Sequence, residues 1–166
     1  MAELTPFEKL QPCLLDRLTD DDPKNREESR NQRIISLPRY KRGVSRDMEW
    51  LLNASAHIPE EPGERLRLVD FPEAHRSVLN FGARQLCGLM APDMERLEAE
   101  LAEAIQLFEP RILKNSLTVK ATMTRNIIAI EMRGDLWATP IPEQLFIRTK
   151  IDTETGQTVL GDATNG

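Results

Sequence analysis

The spacing of hydrophobic residues along the chain changes at Pro110. Upstream of this proline, apolar residues recur every three or four positions, which predicts one face of a long helix. This stripe consists of Met94, Leu97, Leu101, Ala104, Ile105 and Phe108. We expect the helix to end at Glu109, because a residue that precedes proline is disfavoured in the helical region.

Downstream of Pro110, apolar and polar residues alternate as they do in a half-buried strand. The first predicted strand covers residues 117–124, and a turn at Arg125-Asn126 returns the chain. Further strands are predicted at residues 127–133, 145–151 and 157–160, with turns at Gly134-Asp135 and at residues 152–156. Helices followed by a run of strands predict an α+β fold, in which N-terminal helices pack on a mostly antiparallel β-sheet meander.

Helix-start and helix-stop residues predict three shorter helices before the long one. Pro12 opens the first, because a proline costs no hydrogen bond in the first turn. Ser45 is a suitable N-cap for a second helix, from Arg46 to about Ala54. Pro72 at the start and Gly82 just past the end delimit a third.

These patterns predict three parts of the chain. Residues 1–43 form an N-terminal arm with a short helix and a polar linker, residues 44–160 a single α+β core domain, and residues 161–166 a flexible tail. Within the arm, residues 24–33 are almost wholly polar and have no period. The basic stretch at residues 37–42 fits either a solvated connector or a docking strip for an acidic surface.

Charge and hydropathy narrow the class of protein. With 22 basic and 27 acidic residues the net charge is −5, which argues against nucleic-acid binding. Residues 1–10 lack the apolar core of a signal peptide, and no apolar run approaches the roughly 20 residues that span a bilayer. We therefore expect a cytoplasmic protein without direct membrane insertion.

Candidate catalytic and metal-binding residues are isolated. Glu109, Glu131 and Asp135 could supply the carboxylate pair of a peptidoglycan hydrolase, but aromatic residues, which usually line sugar clefts, make up only 5% of the chain. His57 and His75 have no companion at metal-ligand spacing. We expect no enzymatic activity, no cofactor and no metal. A peptidoglycan hydrolase and a soluble regulatory binding module remain the alternatives.

Two features indicate interaction with other proteins. The free edges of a sheet offer unpaired N–H and C=O groups to a partner strand, unless Arg148, Lys150 and the nearby prolines blunt them. Glu109-Pro110-Arg111 places opposite charges on either side of a rigid residue. This tripeptide fits either a helix stop with a local salt bridge or a docking site.

Six segments, in this order along the chain, resemble one family. They are Leu14–Leu18, Ser45–Asn53, Ser77–Gly82, Phe108–Ile112, Pro142–Ile147 and Asp152–Gly156. Phe108–Ile112 is similar to the Glu-Pro-Arg signature that unites the TssE baseplate subunits of type VI secretion systems with the sheath-initiating wedge protein of contractile phage tails. Older names describe this family as lysozyme-like.

The resemblance implies a non-enzymatic baseplate component. Its Glu-Pro-Arg segment would dock on the wedge proteins TssF, TssG and TssK, and its sheet would initiate the contractile sheath by pairing strands with the subunits TssB and TssC. The implied protein is a monomer when free and is present in several copies in a ring assembly. Glu109, Pro110 and Arg111 are the implied protein-binding residues, with Pro110 serving the fold and the two charged residues serving the partner.

Overall fold

The computed structural model describes residues 10, 12–19, 24, 35–54, 56, 70–83, 93–138, 142–154 and 158–161. The helices are α1 (Leu14–Leu18), α2 (Leu37–Asn53), α3 (Pro72–His75) and α4 (Met94–Phe108), with a 3-10 turn at Val78–Asn80. The strands are β1 (Thr118–Thr124), β2 (Ile127–Leu136), β3 (Glu143–Asp152) and β4 (Thr158–Gly161). Outside the described residues lie His57, the tail after Gly161 and all of the predicted linker except Lys24.

The four strands form one antiparallel sheet in the order β1-β2-β3-β4, which confirms the predicted α+β meander. Alternate residues of each of the first three strands are buried, as the period of two requires. The buried face of the sheet packs against α2 and α4, and one hydrophobic core joins all three. The described residues of β4 pair with Arg148–Ile151 of β3.

The long helix α4 follows its predicted stripe. Leu97, Leu101 and Ile105 are buried, and Asp93 caps the first turn. The Asp93 carboxylate accepts hydrogen bonds from the backbone N–H groups of Glu95 at 3.1 Å and Arg96 at 3.2 Å. The helix ends at Phe108, so the stop signal at Glu109-Pro110 is confirmed.

Helix α2 begins at Leu37, well before the predicted start at Arg46. Ser36 rather than Ser45 occupies the N-cap position, and Pro38 lies in the first turn, where a proline is tolerated. The added turns continue a buried stripe spaced four residues apart, which consists of Tyr40, Val44 and Met48. Burial of this stripe outweighs the basic composition of residues 37–42. The solvated-connector interpretation is therefore wrong, and the predicted arm boundary at residue 43 falls inside a helix.

Two further local predictions are wrong for identifiable reasons. α3 stops at His75, because the Ser77 hydroxyl donates to the Ala74 carbonyl at 2.7 Å and so competes with the helix. The predicted turn at Gly134-Asp135 lies inside β2. A Cβ at Gly134 would lie 2.8 Å from Cγ2 of Ile112, so this glycine permits a close backbone approach instead of a turn.

Two residues with positive φ angles allow a matched test of how backbone conformation affects stability. Gly82 has a φ of +130°, and a Cβ there would overlap the Ala54 carbonyl, whereas Arg125 holds a φ of +55° with a full side chain. We expect Gly82→Ala to lower the free energy of unfolding by more than about 1 kcal/mol. Arg125→Gly should leave it unchanged or raise it, because glycine removes the Cβ penalty of that conformation. Urea unfolding measures both, and equal destabilisation by the two changes would contradict this account.

Candidate functional site

The Glu109-Pro110-Arg111 segment joins the end of α4 to the sheet. The Glu109 N–H donates to the Ile105 carbonyl at 2.8 Å, which closes the last helical turn. The chain then runs beside the end of β2, where the Trp137 N–H donates to the Arg111 carbonyl at 2.7 Å. The Leu113 N–H donates to the Asp135 carbonyl at 2.8 Å in the same short pairing. Glu109 and Arg111 are therefore fixed at the junction of helix and sheet.

Glu109 is 3% exposed, and its carboxylate is paired within the chain. Arg111 Nε donates to Glu109 Oε1 at 2.6 Å, and Arg111 Nη2 donates to Glu109 Oε2. The backbone N–H of Arg111 also donates to Oε1, at 3.2 Å. This two-pronged arrangement is the strong form of a carboxylate–guanidinium pair. The local salt bridge, which was one of the two interpretations of the tripeptide, is present, and its carboxylate is buried.

Arg111 extends this pair to helix α2. Its Nη2 also donates to Asp47 Oδ2 at 2.5 Å. The other carboxylate oxygen of Asp47 accepts from Arg46 Nε at 2.9 Å and from Arg46 Nη2 at 2.8 Å. Because Asp47 bridges two guanidinium groups, α2 is tied to the segment that follows α4.

Arg46 in turn holds helix α1. Its Nη1 donates to Asp16 Oδ1 at 2.5 Å, and the Cys13 thiol donates to Asp16 Oδ2 at 3.1 Å. A Cβ at Gly43 would lie 3.3 Å from that same Oδ2, so the glycine lets α1 approach α2 closely. We call the five charged side chains the Glu109 cluster: Asp16, Arg46, Asp47, Glu109 and Arg111.

Charge pairing dominates the electrostatics of the cluster. Burial opposes the charge of Arg111, but the hydrogen bonds and charges of Glu109 and Asp47 outweigh it and raise the Arg111 pKa above its usual value. Burial likewise opposes the charge of Asp16. The hydrogen bonds from Arg46 and Cys13, with the charges of Arg46 and Arg111, nevertheless lower the Asp16 pKa below its usual value. Asp16 and Arg111 are therefore charged near neutral pH.

The sequence model of the baseplate wedge protein gp25 family matches residues 39–141, which include most of α2 and all of α3, α4, β1 and β2. The chain belongs to the gp25 baseplate wedge family. This family includes TssE, so the resemblance drawn from six segments is confirmed. Its members are structural components of baseplates. No curated protein matches the chain.

In this gp25-family chain the three candidate acidic residues have separate environments. Glu109 is enclosed in its cluster, and Glu131 accepts from Arg148 Nη2 at 2.5 Å on the open face of the sheet. The Cα of Asp135 lies four residues further along β2, about 13 Å from that of Glu131 at 3.3 Å per residue. Within the described ranges, no group of three His, Cys, Asp or Glu side chains is arranged to hold a metal, and no helix combines the length and apolar character that crossing a bilayer requires.

The sequence analysis identified the tripeptide but not the side chains that pair with it. Asp47 lies 64 positions from Arg111, and Arg46 lies 30 positions from Asp16. The one local signal was the adjacent pair Arg46-Asp47 beside the apolar stripe of α2, which a charged surface helix would also show. Pro110, which the resemblance assigned to the fold, is exposed, whereas Glu109, which it assigned to a partner, is buried. Partner binding by the tripeptide remains a prediction.

Removal of the Arg111 side chain tests the structural role of the buried pair. Arg111→Ala leaves the Glu109 carboxylate buried without its counter-ion, so we expect a loss of about 3–5 kcal/mol in the free energy of unfolding. Arg148→Ala, which removes the exposed partner of Glu131, should cost about 0–1 kcal/mol. Urea unfolding compares the two variants. Similar small losses would mean that the cluster does not stabilise the fold.

The acid dependence of stability tests the anchor of α1. The Asp16 pKa in the folded chain lies below its ordinary value of 3.8, so its charged form stabilises the fold above that pH. This contribution is lost as the pH falls through the folded-state pKa. We expect the stability difference between the wild type and Asp16→Asn to narrow below about pH 4. Glu49→Gln, at an exposed position of α2, is the control. A difference for Asp16→Asn that is constant with pH would argue against the ion pair.

Proposed function

We propose that this gp25-family chain is a TssE-type subunit of a type VI secretion baseplate, which acts in the cytoplasm. It docks on the wedge proteins TssF, TssG and TssK and initiates the sheath by pairing strands with TssB and TssC. The observation that carries the docking part of this proposal is the exposed apolar side of α1. Family membership supports the baseplate assignment, and the contacts of α1 support the mode of docking.

The leucines of α1 are exposed although the helix is held in place. Leu14 is 70% exposed and Leu18 is 75% exposed, four residues apart on one side of the helix. Trp50 is 50% exposed, and its ring lies under the guanidinium of Arg46, which also binds Asp16 of α1. A short helix that is anchored by a salt bridge and exposes leucines is suited to fill an apolar groove of a partner.

The Glu109 cluster gives Glu109, Pro110 and Arg111 a role in this docking. Through Asp47 and Arg46, the Arg111 side chain supports the residue that anchors α1. Arg111 itself keeps 19% of its side chain exposed, and Pro110 is exposed beside it. We therefore assign direct contact with the wedge to α1, Pro110 and the exposed part of Arg111. Glu109 holds Arg111 in place.

Substitution of the α1 leucines tests the docking surface. Leu14→Ser with Leu18→Ser should weaken co-purification with TssF and TssG by on the order of tenfold for each leucine, because burial of a leucine is worth about 1.5–3 kcal/mol. The fold should be unaffected, since neither side chain is in the core. Val78→Ser with Leu79→Ser is the matched control, at positions that are 80% and 63% exposed. Unchanged wedge binding by the α1 variant, or equal loss in the control, would contradict the proposal.

A further inference from the structure

The face of the sheet that points away from the helices carries a group of basic side chains. The register of β2 with β3 places Arg133 opposite Phe146 and Glu131 opposite Arg148. These residues share one face, because the residue between each of them and the next along its strand is buried. Lys150 follows Arg148 by two positions and lies on that face too. We call Arg133, Phe146, Arg148 and Lys150 the basic strip.

The Phe146 ring orders the two arginines of the strip. The guanidinium carbon of Arg133 lies 5.1 Å from the ring centroid, and that of Arg148 lies 5.8 Å from it. Contact with an aromatic ring restricts a long arginine side chain without using its N–H donors. Less side-chain entropy is therefore lost when these donors bind a carboxylate. Arginines and aromatic rings are also enriched among the residues that dominate protein interfaces.

The strip carries more positive charge than its neighbours neutralise. Glu131 accepts a hydrogen bond from Arg148 Nη2 at 2.5 Å. Within the part of the chain that the structure describes, no carboxylate forms an ion pair with Arg133 or Lys150. All three cationic side chains of the strip are exposed. The two guanidinium groups beside one ring repel each other, so a carboxylate that approached between them would be attracted to both.

The charge of the whole chain narrows what can occupy the strip. The net charge is −5, so the strip is a positive area on an acidic molecule. Asp135 and Asp152 lie in the rows at its two ends and limit its length. A nucleic acid or an anionic membrane presents many negative charges over a long distance, and the rest of the chain would repel it. A short protein segment with a few carboxylates matches the strip in both charge and size.

We propose that the basic strip is a second docking surface, which binds an acidic segment of a partner protein through side chains. Carboxylates of that segment pair with Arg133 and Lys150, and one of them reaches Arg148 beside the Phe146 ring. The strip lies on the open face of the sheet, whereas α2 and α4 pack on the other face. The inference goes beyond the proposed function, because it depends neither on the wedge proteins nor on the leucines of α1.

Binding of an acidic peptide to the isolated full chain tests the strip. The probe is a fluorescent peptide of about eight residues with glutamate at every second position, because alternate residues of an extended chain lie about 7 Å apart, as Arg148 and Lys150 do on β3. A second peptide has glutamine in place of glutamate. Fluorescence anisotropy should show binding of the glutamate peptide alone, weakened by added salt. Arg133→Gln with Arg148→Gln should weaken this binding about fivefold or more.

A matched variant separates the strip from the charge of the whole chain. Arg42→Gln with Arg76→Gln removes two exposed arginines of the helical segments and changes the net charge by the same amount. Its affinity for the glutamate peptide should stay at the wild-type value, with circular dichroism as the check of folding. Equal losses in the two double variants, or no binding by the wild type, would overturn the proposal. Equally tight binding of a single-stranded oligonucleotide with the same number of charges would refute the assignment of a protein occupant.

The ring of Phe146 has a test of its own. Phe146→Leu keeps an apolar side chain at this half-buried position but removes the aromatic contact with both arginines. We expect weaker binding of the glutamate peptide, while the dependence on salt persists because the cations remain. Wild-type affinity in this variant would contradict the ordering of the arginines by the ring.

Photo-crosslinking of the full chain in cells examines the natural occupant. A photoreactive amino acid replaces Lys150, and mass spectrometry identifies the crosslinked segment. We expect that segment to be rich in Asp and Glu, and we expect the crosslink to disappear when Arg133→Gln and Arg148→Gln are added. A crosslinked segment without acidic residues, or a crosslink that persists in the added presence of both substitutions, would overturn the inference.

Discussion

The buried pair between Glu109 and Arg111 is the interaction on which the arrangement of the other elements depends. It lies at the point where α4 ends and the sheet begins, and Asp47 connects it to α2. Through Arg46 the same set of charges reaches Asp16 on α1. A carboxylate that is 3% exposed would be costly without its partner, so the pair specifies one geometry among these four parts of the chain.

This geometry also fixes the exposed side of α1. The exposed leucines of α1 lie beside the charged cluster, because Asp16 of the same helix is paired with Arg46. A subunit that docks through a short helix needs that helix held in a fixed relation to its core. A rigid charged junction supplies that relation better than apolar packing alone, because ion pairs with two-pronged geometry tolerate little displacement. The core of α2, α4 and the sheet supplies the stability.

Much of the fold could be predicted from the sequence, because its clearest elements have strong hydrophobic periods. The stripe of α4, its stop at Pro110 and the alternation in β1 are all local signals. The start of α2 was predicted too late, since the basic composition of residues 37–42 concealed the buried Tyr40. Gly134 was predicted to form a turn, but a glycine is needed there because the backbone passes close to the distant Ile112. The tripeptide could be predicted, because it is a local motif. The burial of Glu109 and its links to Asp47 and Asp16 could not be predicted, because they arise from tertiary contacts. The Glu98–Ala121 hydrogen bond has no sequence signature at all.

The central claim is that the Glu109 cluster holds α1 so that its leucines contact the wedge. Photo-crosslinking in an assembled baseplate tests it most directly, with a photoreactive amino acid introduced at Leu18 in one variant and at the exposed Leu79 in a control variant. The account predicts that the probe at Leu18 crosslinks to TssF or TssG and that the probe at Leu79 does not. No crosslink from Leu18, or equal crosslinks from both positions, would contradict it.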